Sequence, residues 1–297
     1  MRTINRMLRL AAARWALLVL LLLTAVGLGL VADGSVGAQD ATSTPADGDV
    51  VLEPLPPCPP AGPYDDRDPP HPYEPGDPIC SAEGKGLLRP DVPLSQGAAA
   101  TGFMQKNVAV WTWDLGLAGL YAKRTVSNPS LGSDDIQYHT MHAGRSGKWI
   151  EIGWAKLGAS WGNKLEIFVA SHNGYVSYAS HYPISPGQTI RVQIDNLPGN
   201  NWWRALLYWN GTWEQLATIK IDTMMAEDEN VVVEVFTQDD NWPTLPQTWV
   251  QDTLLYLCVF ECRWLKWDTS IGTSTWGDSP YHAHFTYRYY KWYAHRH

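Results

Sequence analysis

The chain has 297 residues, with 22 basic and 30 acidic side chains and a formal net charge of −8. That balance argues against nucleic acid or an anionic membrane surface as a partner. The aromatic set is 16 Trp and 14 Tyr against 5 Phe, which favours rings with a polar handle, suited to half-buried clefts that hold polysaccharide or extended polypeptide.

Arg2, Arg6, Arg9 and Arg14 form a basic start, residues 16–32 are a nearly uninterrupted apolar run, and Val36-Gly37-Ala38 places small residues where a signal peptidase cuts. Residues 1–38 are therefore expected to be a cleaved export signal, leaving a secreted, extracellular protein with no stable membrane insertion. The competing reading is an uncleaved anchor, since about 17 apolar residues approach the length that spans a bilayer. Without residues 1–38, which hold four arginines and Asp33, 18 basic groups stand against 29 acidic ones. Export lets Cys58, Cys80, Cys258 and Cys262 form two disulfides, in any of three connectivities. The simplest joins neighbours: Cys58 with Cys80 around a Pro-rich loop, and Cys258 with Cys262 across a tight turn. No second closely spaced cysteine pair accompanies Cys258 and Cys262, so zinc is not expected there.

Residues 39–100 contain Pro56-Pro57-Cys58-Pro59-Pro60, Asp68-Pro69-Pro70-His71-Pro72 and Gly97-Ala98-Ala99-Ala100. Proline removes backbone donors and holds extended conformations, so little regular structure is expected, and the segment reads as a disordered linker or as an inhibitory pro-segment. From residue 101 the pattern becomes short β-rich runs at 108–113, 136–142, 148–154, 164–171, 176–182, 189–194, 206–209, 214–221, 230–237, 254–260 and 283–291. His172-Asn173-Gly174, Ser185-Pro186-Gly187, Pro198-Gly199-Asn200 and Asn210-Gly211 punctuate them as loops or hairpins. No stretch sustains a helical period. The expected fold of residues 101–297 is all-β: an antiparallel two-sheet sandwich or jelly roll, concanavalin-like, with a core large enough that the fold does not depend on its disulfides.

Two of these runs carry an ionisable residue in an apolar pattern: Trp149-Ile150-Glu151-Ile152-Gly153-Trp154 and Val231-Val232-Val233-Glu234-Val235-Phe236. Strand alternation puts Glu151 on a face with Trp149 and Gly153, and Glu234 on a face with Val232 and Phe236. The first run resembles the Ile-Glu-Ala-Gly-Trp strand of neprosin-type glutamic peptidases, and Val233-Glu234-Val235 is similar to their later Gly-Glu-Val strand. The resemblance covers about residue 127 to the C-terminus. Val232-Val233 stands where that family has paired Gly, and Asn241-Trp242-Pro243 where a Gly-rich turn is usual. The resemblance, shared with the eqolisin peptidases, implies a β-sandwich presenting two catalytic side chains, here Glu151 and Glu234, on one concave face. Trp149, Trp154, Phe236 and Trp242 would line the substrate cleft, and Glu229 is the fallback for the second position.

The chemistry so implied is acid-acting endopeptidase cleavage by an activated water, with cleavage near proline an expectation from the family alone. Two carboxyls at close range split their pKa values and titrate as a unit; Glu234 is expected to be the base and Glu151 to assist the oxyanion. The bland reading of each Glu is a solvated residue on the wet face of an antiparallel sheet. Trp111, Trp113, Trp202, Trp203 and Trp209 read as core or cleft lining, and His139, His142, His172 and His181 as scattered surface residues. His282 and His284 share a strand face at a spacing metals use, with no third ligand identifiable in the sequence. No cofactor and no metal are expected. The reading from another class is a non-catalytic carbohydrate-binding, lectin-like sandwich whose Trp and Tyr rings stack on sugars. A glycosidase ranks below both, for want of a compact two-carboxylate strand motif.

Overall fold

A computed structural model describes residues 54–65, 71–94, 102–112, 116–196, 201–221, 226, 228–258 and 261–296. The expected export signal, the first part of the Pro-rich segment and Trp113 lie outside the described residues. Among the described residues, seventeen strands form two sheets. Sheet I runs in the order β15 (Thr273–Gly277), β3 (Met104–Thr112), β12 (Asp228–Thr237), β5 (Ile136–Arg145), β6 (Lys148–Leu157), β7 (Leu165–Ser171), β8 (Gly174–Ser177) and β2 (Leu87–Leu88). Sheet II runs β1 (Ile79–Ser81), β11 (Thr212–Lys220), β10 (Trp202–Trp209), β9 (Thr189–Asn196), β4 (Leu117–Thr125), β13 (Thr248–Cys258), β17 (Lys291–Arg296) and β16 (Tyr281–Tyr287), with β14 (Cys262–Lys266) also paired to β13. Pairing is antiparallel except where β1 joins β11. The result is the expected two-sheet sandwich.

Alternation sends one face of each sheet inward. Val108, Val110, Met141, Ile150, Ile152, Trp154, Val231, Val233 and Val235 from sheet I meet Leu120, Ala122, Ile190, Val192, Ile194, Leu207 and Trp209 from sheet II in one buried cluster. β4 is absent from the sequence reading for a physical reason: residues 117–122 are buried on both faces, so Leu117-Ala118-Gly119-Leu120-Tyr121-Ala122 shows no alternation. Between β10 and β11 the Asn210-Gly211 turn takes positive φ at both positions, 50° and 93°, as a two-residue hairpin requires.

The described part of the Pro-rich segment supplies a short strand to each sheet. β1 extends sheet II and β2 extends sheet I. Edge strands offer unpaired backbone groups to any extended chain, and proline is tolerated there. Cys58 pairs with Cys80, and Cys258 with Cys262, so both disulfides join neighbours as expected. The first is buried in the core and the second closes the turn between β13 and β14.

Candidate active site

The outer face of sheet I collects the odd residues of β6 and the even residues of β5 and β12. Glu151 stands opposite His142, and Glu234 opposite Tyr138 on one side and Asn107 on the other. Gly153, opposite Thr140, occupies the row between them. A methyl group at Gly153 would sit 2.2 Å from the carbonyl oxygen of His139, so nothing larger than glycine fits that close approach.

Glu151 is 3% and Glu234 6% exposed, which rules out the solvated wet-face reading for both. Their cover is an apolar cluster on this same face, built by Ile136, Tyr138, Trp149, Phe168, Tyr175 and Phe236 and joined by Val92 and Phe103. Residues 89–94 of the Pro-rich segment lie against this cluster. Tyr138 donates its hydroxyl hydrogen to the Pro93 carbonyl at 2.8 Å, and the Arg89 backbone N–H bonds the Tyr175 carbonyl at 2.9 Å.

Burial pushes the Glu234 carboxyl well above the usual carboxylate range, the charge of Glu151 pushes it further, and a hydrogen bond from Gln105 Nε2 to Oε1 at 3.1 Å opposes both. Its Oε2 has no hydrogen-bond partner among the described residues. Behind β5, in the intersheet core, the fully buried Arg124 of β4 donates to the Thr140 carbonyl. Burial draws its guanidinium well below its ordinary pKa, while attraction to Glu151 works the other way. The same attraction favours negative charge on Glu151. A third carboxylate on this face, Glu166, is fully buried and taken up by Tyr175 Oη at 2.7 Å and Ser177 Oγ at 2.8 Å.

Beside Glu234 opens a cavity of about 310 Å3, lined by Asn107, Ala109, Trp111, Asn230, Val232 and Trp276. Trp111 and Trp276 are exposed at its rim. Asp278 holds the rim, accepting from Trp276 Nε1 at 2.8 Å and from the Asn107 backbone N–H at 2.9 Å. The side-chain oxygens of Asn107 and Asn230 are buried and have no partner among the described residues.

Of the cleft residues expected from sequence, Trp149 and Phe236 share the face of the Glu pair. Trp154 and Trp242 do not: both belong to the intersheet core, Trp154 because an even position on β6 points inward and Trp242 because the loop after β12 folds against Tyr281. Glu229, the fallback, is an odd position on β12, fully buried on the core side and unable to share a face with Glu151. His139 and His142 are not surface residues. His139 is fully buried, its ring edge-on to Trp154 at 5.3 Å, and burial holds it neutral by drawing its pKa well below the ordinary value. His142 lies buried opposite Glu151, 5.7 Å from the Trp149 ring. Tyr138, Gln105, Asn107, Asn230 and Trp276 went unread in the sequence. The alternation of Gln105, Asn107, Ala109 and Trp111 along β3 was the signal available for that wall. Glu214 approaches Cys58 and Cys80, but those sulfurs are bonded to each other and offer a metal nothing.

No family model and no curated protein matches the chain. Among solved structures it is similar to scytalido-glutamic peptidase bound to a peptide-based transition state analog (9% identity, TM-score 0.43) and to a second complex of that peptidase with a transition state analog inhibitor (8%, 0.46). It is also similar to SCP-B, a member of the eqolisin family of peptidases, in complex with the tripeptide Ala-Ile-His (10%, 0.46). Each alignment covers 66% of this chain and 100% of the other; at these identities and scores no chemistry is transferred from them.

Proposed function

We propose that the protein is a glutamic endopeptidase that hydrolyses peptide bonds with the carboxyls of Glu151 and Glu234, acting in acid on extracellular polypeptide after export. The observation that carries this reading is the pair itself: two buried carboxyls on one sheet face, each within the other's field, with burial raising the pKa of Glu234. Such a pair holds one base and one acid at the same pH. In this reading Glu234, whose pKa burial and the charge of Glu151 raise, is the acid and Glu151 the base, the reverse of the roles expected from sequence. Ionised Glu151, favoured by Arg124, takes a proton from water as the water oxygen bonds to the carbonyl carbon, and Glu234 gives its proton to the carbonyl oxygen. The tetrahedral diol then collapses: the C–N bond breaks, the amine leaves with the proton held by Glu151, and a hydroxyl proton returns to Glu234. The cavity beside Glu234, with its exposed indoles and partnerless amide oxygens, suits a side chain and backbone N–H groups of an extended peptide. The residues at the site give no proline pocket.

The test is hydrolysis of a mixed peptide library between about pH 3 and 7 by the wild type, Glu151→Gln and Glu234→Gln. Acid-peaked cleavage that drops by about a thousandfold in each variant is expected, as for loss of a group acting on the reacting atoms. Cleavage that survives Glu234→Gln at full rate rejects the assignment. The second reading, a carbohydrate-binding module, draws on Trp111 and Trp276; no cleavage by any form, together with glycan-array binding lost in Trp276→Ala, would establish it instead.

A further inference from the structure

The β16–β17 hairpin carries a cluster that carboxylate chemistry leaves unused. His282 and His284 are two residues apart on β16 and share a face, and the strand register supplies the third imidazole that the sequence concealed. His295 on β17 stands directly opposite His282, with Tyr293 opposite His284. The rings of His282 and His284 each lie 6.5 Å from the ring of His295, centroid to centroid. Tyr281, Trp292 and Ala294, the alternate positions of the same strands, are in the intersheet core. The three imidazoles therefore project from the outer face of sheet II, His282 and His284 exposed and His295 half-buried.

We propose that His282, His284 and His295 form a binding site for a divalent transition-metal ion of the zinc type. An all-imidazole donor set selects zinc, nickel or copper, whereas magnesium and calcium require oxygen ligands. Directly opposed cross-strand residues have Cβ atoms about 4.5–5.5 Å apart, and diagonal ones remain within reach of long side chains. In a tetrahedral site with metal–nitrogen distances near 2.0–2.1 Å, ring centroids fall about 5 Å apart, so the His282–His295 and His284–His295 pairs, 6.5 Å apart, each close by about 1.5 Å. Exposed side chains do this by small rotations about χ1 and χ2. Tyr293 packs against two of the rings, stacked on His284 at 4.9 Å and 5.3 Å from His295. The neighbouring cations are directed elsewhere: Lys291 lies over the Trp249 ring at 5.3 Å, and Arg296 donates to the Trp242 carbonyl. Three protein ligands leave a fourth position for water or another group. The ion would clasp the edge strand β16 to β17, which itself joins β13 through only Thr248, Trp249 and Val250.

Isothermal titration of the folded protein with Zn2+ at about pH 7.5, where neutral imidazole ligates, tests the site. The expected result is one ion per chain in the wild type and in His71→Gln, which removes an imidazole on a distant loop, and affinity at least about tenfold weaker in His282→Gln and in His295→Gln. Melting curves run alongside separate site loss from misfolding: the variants should melt with the wild type without metal, and only the wild type and His71→Gln should gain stability from Zn2+. Absence of binding in the wild type, or equal affinity in the wild type and His295→Gln, overturns the proposal.

Discussion

The two outer faces of the sandwich both bury carboxylates and treat them in opposite ways. On sheet II, Asp195 of β9 accepts two hydrogen bonds from Arg204 of β10, at 2.7 and 3.0 Å, and a third from Gln193 Nε2 at 2.7 Å. Tyr73, from the Pro-rich segment, lays its ring over the guanidinium at 4.7 Å. Burial draws Arg204 down, and Asp195, by charge and by hydrogen bond, more than restores it. On sheet I, the electrostatic neighbour of Glu234 is another carboxylate. A buried carboxylate forked by arginine has its hydrogen-bonding capacity taken up and serves structure. A buried carboxyl whose pKa is raised by burial and by a like charge is the kind of group that proton transfer uses.

That contrast can be broken first on the structural side. Asp195→Ala leaves the Arg204 charge buried without its partner and is expected to cost about 3–5 kcal/mol in denaturant melts, since removing one member of a buried pair strands the other. A loss below about 1 kcal/mol would show that the pair does not hold the sheet. The next effect belongs to the space between the two glutamates. Gly153→Ala pushes a methyl against the His139 carbonyl and is expected to cost about 1–3 kcal/mol through displaced backbone; an unchanged melting temperature would show that β5 and β6 give way freely.

The smallest effect sharpens the comparison from the chemical side. Glu234 has a folded pKa above its unfolded value, so the stability it contributes is whole below the usual carboxylate range and is lost as the pH rises through the raised pKa. Glu234→Gln removes that loss. The variant and the wild type should melt together in acid, and the variant should melt higher by a few degrees at neutral pH. A variant that melts lower at neutral pH would mean that an ionised Glu234 holds the face together.

Legibility from sequence followed side-chain alternation. Strands with one wet or partly polar face, such as β6, β9 and β12, announce themselves by period two, and the same parity places Glu151 with Trp149 and Glu234 with Phe236. Where both faces carry apolar residues, as along Leu117-Ala118-Gly119-Leu120-Tyr121-Ala122, the period vanishes, which hid β4. Parity also contradicts a cleft role for Trp154, whose even position turns it into the core. For Trp242 no parity rule applies, because it lies beyond the strand and its packing depends on where the loop after β12 folds.

The amino-acid sequence by itself determined the all-β class and the two strands that carry the candidate carboxyls, because those depend on neighbours along the chain. Only the tertiary structure decided that the two carboxyls share one buried face, that burial and the charge of Glu151 raise the pKa of Glu234, that Asn107 and Trp276 wall the adjoining cavity, and that His295 completes a trio with His282 and His284. Each of these depends on strand register and on desolvation by residues distant in sequence, and neither quantity is written in the local pattern.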